Sequence, residues 1–262
     1  MPGKWSRRAG IIMNKILIFA GTTEGRELAE FCIAHQIAAD VSTATEYGSS
    51  LLPDGIGRLT GRLTADEMRS LLREKHYAYV IDATHPYAEE ATDNIRTACQ
   101  SEQVPCFRLI RKMLPVVGEA VYSLQQMTEQ LNQTQDRVLC TLGTKAAQAL
   151  CGVDQFAERI WLRILPSEES AEALKKLGFR HIIQAKGPFS VEDNIRHIRE
   201  SSAKILLTKE SGAIGGYPEK AEAVQQTGIR MITLCRPFYT QYGYYYDEMT
   251  KMLLRMKENH LL

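Results

Sequence analysis

Short apolar runs, each the length of one buried strand, alternate along the chain with stretches of helical spacing. That alternation restricts the fold more than any single motif does. Strands joined through an intervening helix come back to the same end of the sheet and so lie parallel. In the first half the runs are residues 15–20 (KILIFA), 38–45 (AADVSTAT), 56–59, 77–83 (YAYVIDA) and 104–110. In the second half they are 137–142, 159–165, 180–185, 204–207 and 229–234. The first run shows no polar alternation, the mark of a strand covered on both faces. Two successive sets predict an α/β chain with mostly parallel sheets, folded as two lobes with an interdomain cleft.

The expected domains are 13–117 and 118–262. Residues 1–12 stand apart, with Lys4, Arg7 and Arg8 ahead of the first apolar strand. They read as an extension, either a disordered arm or a misassigned start, because a signal peptide needs a longer apolar stretch. A chain of 262 residues can bury two small cores, and a charged fraction of 24% is ordinary for a globular protein. A formal net charge of +1 gives no global field for nucleic acid, so an acidic ligand needs a local basic patch. No apolar run is long enough to span a bilayer. The six cysteines form no C-x-x-C pair, which argues against a zinc site of the usual spacing. Most sit among apolar neighbours, as reduced core thiols of a cytoplasmic protein do.

Two turns draw attention as phosphate cradles. The stretch 208–216 (TKESGAIGG) follows the apolar run 205–207 and precedes a helix expected over 218–226. Gly212, Gly215 and Gly216 permit close backbone approach, Lys209 adds a charge and Ser211 a hydroxyl. The stretch 21–26 (GTTEGR) repeats the plan between the first strand and helical spacing up to His35. Gly21, Thr22, Thr23, Glu24 and Gly25 make up that turn, although the full G-x-G-x-x-G fingerprint is absent. A plain strand-to-helix loop is the competing reading for either turn. Near the end of the second strand Glu46 stands where an acid takes ribose hydroxyls, while Arg58 and Arg62 suit a 2′-phosphate. Solvated surface charge is an equal alternative for all three, and NADH and NADPH stay undecided.

Polar groups follow the fourth strand directly: Asp82, Thr84, His85 and Tyr87. Asp82 and His85 have the chemistry of a metal pair but no evident third ligand, and hydrogen-bonded structural roles are the ordinary ones. Pro86 holds His85 extended. After the fifth strand Arg108, Arg111 and Lys112 are candidates for carboxylate binding, with a solvated rim as the alternative. Helix starts are expected at Thr64-x-x-Glu67, Ser123-x-x-Gln126, Ser167 and Ser190-x-x-Asp193. The stretch 118–136 otherwise reads as polar, and a helix is expected over 146–151. The tail tyrosines 239, 242, 244, 245 and 246 read as packing for the last strand, with a cleft or interface lining as the rival.

Several loops taken together resemble the precorrin-6A reductases, including the cobalt-precorrin-6A form. They are GTTEGR (21–26), DATHPYA (82–88), LGTK (142–145), RILP (163–166), KGPFSVEDN (186–194), TKESGAIGGYPEK (208–220) and RP (236–237). They occur in order and at strand ends, over 15–237. At Arg111-Lys112-Met113 the chain departs from the family, whose members often carry Pro and an aromatic after the arginine. The resemblance implies two Rossmann-like domains, terminal strands exchanged between them, and a nicotinamide cofactor, NADH or NADPH. The implied reaction reduces one double bond of a corrin precursor, a tetrapyrrole, in cobalamin synthesis. With that reading Gly21, Thr22, Thr23, Glu24, Gly25, Glu46, Thr84, Lys209, Ser211, Gly212, Gly215 and Gly216 are expected around the cofactor. His85 or Tyr87 would supply the proton, and Arg108, Arg111, Lys112, Arg163 and Lys186 would meet substrate carboxylates. Rival readings are an S-adenosylmethionine-dependent methyltransferase of the same pathway and a non-catalytic two-lobed binding protein.

Overall fold

The computed structural model describes residues 14–236 and 243–262. The basic extension, Pro237, Tyr239 and Tyr242 lie outside the described residues. The chain divides into two compact units, Met1–Arg111 with Thr240–Leu262, and Lys112–Tyr239. The first junction thus falls a few residues before the expected 117/118, and the end of the chain belongs to the first unit.

The first unit runs β1 (Ile16–Ala20), α1 (Thr23–Ala34), β2 (Ala39–Thr43), α2 (Glu46–Ser50), β3 (Gly57–Thr60), α3 (Ala65–Lys75), β4 (Tyr79–Ala83), α4 (Glu89–Glu102) and β5 (Cys106–Arg108). The sheet is parallel, in the order β3-β2-β1-β4-β5. Ile16 and Ile18 pack on one face with Leu28, Ala29 and Val41, and Leu17 and Phe19 on the other with Met68, Leu72 and Ile95. Burial on both faces is why the first apolar run shows no alternation. Thr64 and Glu67 close the expected capping box on α3.

The second unit holds β6 (Glu119–Val121), α5 (Leu124–Leu131), β7 (Val138–Cys140), α6 (Ala147–Leu150), α7 (Phe156–Arg159), β8 (Ile160–Ile164), α8 (Glu168–Lys176) and β9 (His181–Gln184). It continues through α9 (Val191–Ser201), β10 (Ile205–Lys209), α10 (Tyr217–Thr227) and β11 (Arg230–Leu234). Its parallel sheet has the order β6-β11-β10-β7-β8-β9. Both units are therefore of the predicted α/β class with parallel sheets.

Three local expectations change. The stretch 118–136 contains both a strand and a helix; Met127 and Leu131 bury the inner side of α5, and Ser123 caps it by accepting from the Gln126 N–H. The helix expected over 146–151 is a 3-10 turn followed by the single turn of α6. The tail, whose tyrosines were expected to pack the last strand, forms a helix, α11 (Tyr246–Glu258). Among the described residues Leu109 and Tyr244 form one parallel bridge beside the first sheet.

Candidate functional site

In an open parallel sheet, ligands bind outside the carboxyl ends of the strands where the strand order reverses direction. In the first unit that point lies between the neighbours β1 and β4. The loops leaving them are the GTTEGR turn and Thr84 to Ala88. Thr22 joins the two: its hydroxyl donates to the Ala83 carbonyl at 3.1 Å and accepts from the Gly25 N–H at 3.2 Å. One side chain thus caps α1 and pins it to the end of β4.

The glycines of this turn do different work. Gly21 is exposed, and a Cβ built on it meets nothing within 4 Å, so the mouth of the turn is open. Gly25 is buried, and a Cβ there would sit 3.0 Å from the Ala20 Cβ and 3.2 Å from the Ala83 Cβ. Its role is the close approach of α1 to the sheet. Thr23 begins α1, and Glu46, exposed, begins α2 just past the end of β2.

Asp82 is buried and engaged. It accepts from the Thr84 N–H at 3.0 Å and the Thr84 hydroxyl at 2.6 Å, and it pairs with Arg108. Arg108 also donates to the Thr92 hydroxyl at 2.6 Å. The expected carboxylate-binding role of Arg108 gives way to this internal pair, which forms because β4 and β5 are adjacent and put Asp82 opposite Arg108. The same pair takes Asp82 out of any metal role. His85 is held by the backbone, since its Nδ1 accepts from the Tyr87 N–H at 3.2 Å. The neutral ring therefore carries its proton on Nε2. The His85 and Tyr87 rings lie 5.8 Å apart.

Glu24 and Arg111 also bind each other, in a two-armed pair whose second arm, from Nη2 to Oε2, spans 2.6 Å. Burial alone would raise the Glu24 pKa, but the Arg111 hydrogen bonds and charge, its own N–H and Thr22 hold it below the ordinary carboxylate value. Glu24 and Arg111 thus brace α1 against the end of the fifth strand. Arg58 donates to the carbonyls of Leu52 and Pro53 and pairs with Asp54, so its charge is spent on its own loop. Lys112 is exposed.

In the second unit the strand order reverses between β7 and β10. The LGTK and TKESGAIGG turns leave those strands. Gly143 there has a φ of +77° and open space around it. The β10 turn is built from within. Ser211 donates to the Gly215 carbonyl at 3.0 Å, and a Cβ on Gly215 would lie 2.2 Å from the Ser211 Oγ. Glu210, wholly buried, pairs with Arg236 at 2.5 Å and accepts from the Gly212 N–H at 2.9 Å. Gly216 caps α10 with a φ of +70°. Lys209, half-buried, ends β10, and Lys186 is exposed after β9.

Arg163 lies elsewhere than expected. It is buried, donates to the Asn194 Oδ1 at 2.9 Å, lies 3.1 Å from the His197 Nδ1 and stacks 3.9 Å from the Phe189 ring centre. Loss of water brings its pKa down to about 10. Its guanidinium faces α9 rather than the exposed rim of the sheet. Sequence reasoning passed over Glu210, Arg236 and Lys220, although all three stand within or beside the loops it singled out. Among the described residues no group of three or more His, Cys, Asp or Glu is placed to hold a metal.

The model of the family described as precorrin-6x reductase CbiJ/CobK matches residues 15–255. The chain belongs to that family. A cobalt-precorrin-6A reductase of Salmonella typhimurium is 32% identical over 85% of the chain and 87% of its own length. One from Methanothermobacter thermautotrophicus is 34% identical over 85% of the chain and 76% of its own. A solved structure named CobK precorrin-6A reductase superposes with a TM-score of 0.74, covering 92% of the chain and 97% of that structure at 22% identity, a likeness of fold. Family membership makes the chain a reductase of cobalamin biosynthesis, and a reductase of this kind implies a nicotinamide cofactor.

Proposed function

We propose that the chain uses NADH or NADPH to reduce one carbon–carbon double bond of precorrin-6A, or of its cobalt form, giving the corresponding precorrin-6B. The family match over 15–255 carries the substrate and the reaction. The switch point of the first unit supports the cofactor. Gly21 leaves open space at the mouth of a cradle, and the start of α1 offers N–H groups and a positive helix end to a pyrophosphate. Thr22, Thr23 and the N–H of Glu24 would line that cradle, and Glu46 would take ribose hydroxyls. The Gly25 side is closed by Ala20 and Ala83, so this glycine contributes through packing.

A bound nicotinamide cofactor supplies the hydride, and the protein supplies position and electrostatics. Reduction of a double bond also needs a proton at the second carbon. His85 would deliver it from Nε2 as the imidazolium, which requires that its Nδ1 give up the Tyr87 N–H and take a proton of its own. Tyr87, its ring neighbour, is the alternative donor. Thr84 keeps the strand end in shape through Asp82. Exposed Lys112 and Lys186, both of the second unit, would meet the acidic side chains of the macrocycle.

The test is anaerobic turnover of purified precorrin-6A and its cobalt form, followed separately with NADH and NADPH. The expected result is stoichiometric cofactor oxidation by one of the two. Failure with both cofactors and both substrates overturns the reading, and calorimetric binding of S-adenosylmethionine would then favour the methyltransferase. His85→Gln should lower kcat by about a hundredfold, the usual scale for a general acid. Full turnover by that variant would remove His85 from the proton transfer.

A further inference from the structure

Lys220 is a buried cation in an unfavourable setting. Only 7% of the residue is exposed, and it is the fourth residue of α10. Its one recorded hydrogen bond goes to the Gly215 carbonyl at 3.2 Å, and among the described residues it makes no ion pair within 4 Å. The positive end of the helix dipole opposes an ammonium there. Arg163 and Lys209 add like charge from β8 and β10, and only Glu219 of α10 offsets it at longer range. Loss of water, then those two cations, brings the Lys220 pKa down to about 8. A buried ammonium with no ion pair within 4 Å among the described residues is destabilising, and with two cations against the one carboxylate of Glu219 the local charge stays positive, so the natural relief is an anion from outside.

The path for one is visible at Gly216. A Cβ built on this residue would meet nothing nearer than the Glu219 Oε2 at 3.8 Å and the Lys220 Nζ at 4.0 Å. The open side of the helix-capping glycine therefore faces both the ammonium and the Glu219 carboxylate, and Ala213 and Ile214 of the β10 turn are exposed.

We propose that Lys220 is the centre of an oxyanion-binding subsite in the second unit, with Lys209 and Arg163 supplying the surrounding positive charge. The inference deepens the reductase reading and, for the identity of the anion, rests on it. Two sources share the chemistry: a carboxylate of the tetrapyrrole and a phosphate of the nicotinamide cofactor.

Lys220→Met removes the charge and nearly preserves the volume. The first arm uses inorganic phosphate, which does not depend on the reductase reading. Phosphate should raise the melting temperature of the parent above that in chloride of equal ionic strength, and should not do so for the variant. Equal responses overturn the subsite, whatever the enzyme's reaction. The second arm uses the turnover assay. A weakening of at least about tenfold, the scale of one charge-assisted hydrogen bond, should fall on one ligand. A weaker cofactor Kd assigns the phosphate, and a raised KM for the precorrin with an unchanged cofactor Kd assigns the carboxylate. If neither moves in a variant that melts like the parent, Lys220 binds no anion. Should Lys220→Met fail to fold, acetic anhydride labelling of the parent decides. Phosphate should shield Lys220 relative to chloride, and unchanged labelling overturns the proposal.

Discussion

At the scale of single residues, two of the cations expected at the rim, Lys112 and Lys186, are exposed, while Arg108, Arg111 and Arg163 are engaged by side chains of their own units. Glu24 and Arg111 are 87 positions apart, and nothing in their local sequence announces that they meet. They meet because the order β1-β4-β5 brings the start of α1 and the end of the fifth strand to one edge. Arg108 is the same case, since its partner Asp82 is set by strand register. Such pairings belong to topology, which a residue pattern does not contain. The Glu24 pair makes a prediction with a definite sign. Its folded pKa lies below the ordinary 4.5, so its stabilisation is present above that pH and is lost as pH falls through the folded value. Glu24→Gln should cost about 1–3 kcal/mol at neutral pH, since it leaves Arg111 with a neutral partner. The gap to the parent should close as pH falls through the lowered folded value, where the parent carboxylate takes up its proton. Urea unfolding of both proteins at several pH values measures this, and a gap independent of pH would mean that the ionised pair adds nothing.

At the scale of elements, the strands and most helix starts were legible because they rest on local rules. Continuous apolar runs marked strands covered on both faces, and Thr64, Ser167 and Ser190 cap the helices they were expected to cap. The turn glycines were legible as glycines but not by role. Gly21 opens a space, Gly25 closes one, and Gly215 makes room for Ser211. Gly25→Val should therefore act on the element. Its side chain would press on Ala20 and Ala83 and lift α1 from the sheet, costing about 1–3 kcal/mol as overpacking does. Cofactor affinity should fall with it if α1 carries the proposed cradle. Gly21→Ala should leave stability nearly unchanged and reduce cofactor affinity alone, because open space surrounds it in the protein itself. Thermal melts paired with cofactor titrations separate the two effects. A Gly25→Val protein that melts and binds like the parent would show that the helix has room to spare.

For the whole molecule, the informative departure is the end of the chain. The tyrosines drew the eye from a regular spacing at Tyr246, Met249, Leu253 and Met256, which is that of a helix with one buried face. In the structure Met249 and Leu253 are buried in the same core as Ile16, Ile18 and Leu28. Tyr246 donates to the Glu27 carbonyl at 3.1 Å, and Lys257 to the His35 carbonyl at 2.5 Å. The last helix thus belongs to the core that supports β1 and α1, although over a hundred residues of another unit intervene. No local rule reveals which of two cores such a segment joins; its apolar face fits either until the contacts are known. Leu253→Ala should open a cavity in the first unit and cost about 2–5 kcal/mol. Hydrogen exchange locates the effect: amides of β1 and α1 should lose protection in that variant, with cofactor affinity falling alongside. Unchanged exchange in β1 and α1, with loss confined to 246–258, would mean that the helix only covers the first unit and does not help to hold its sheet.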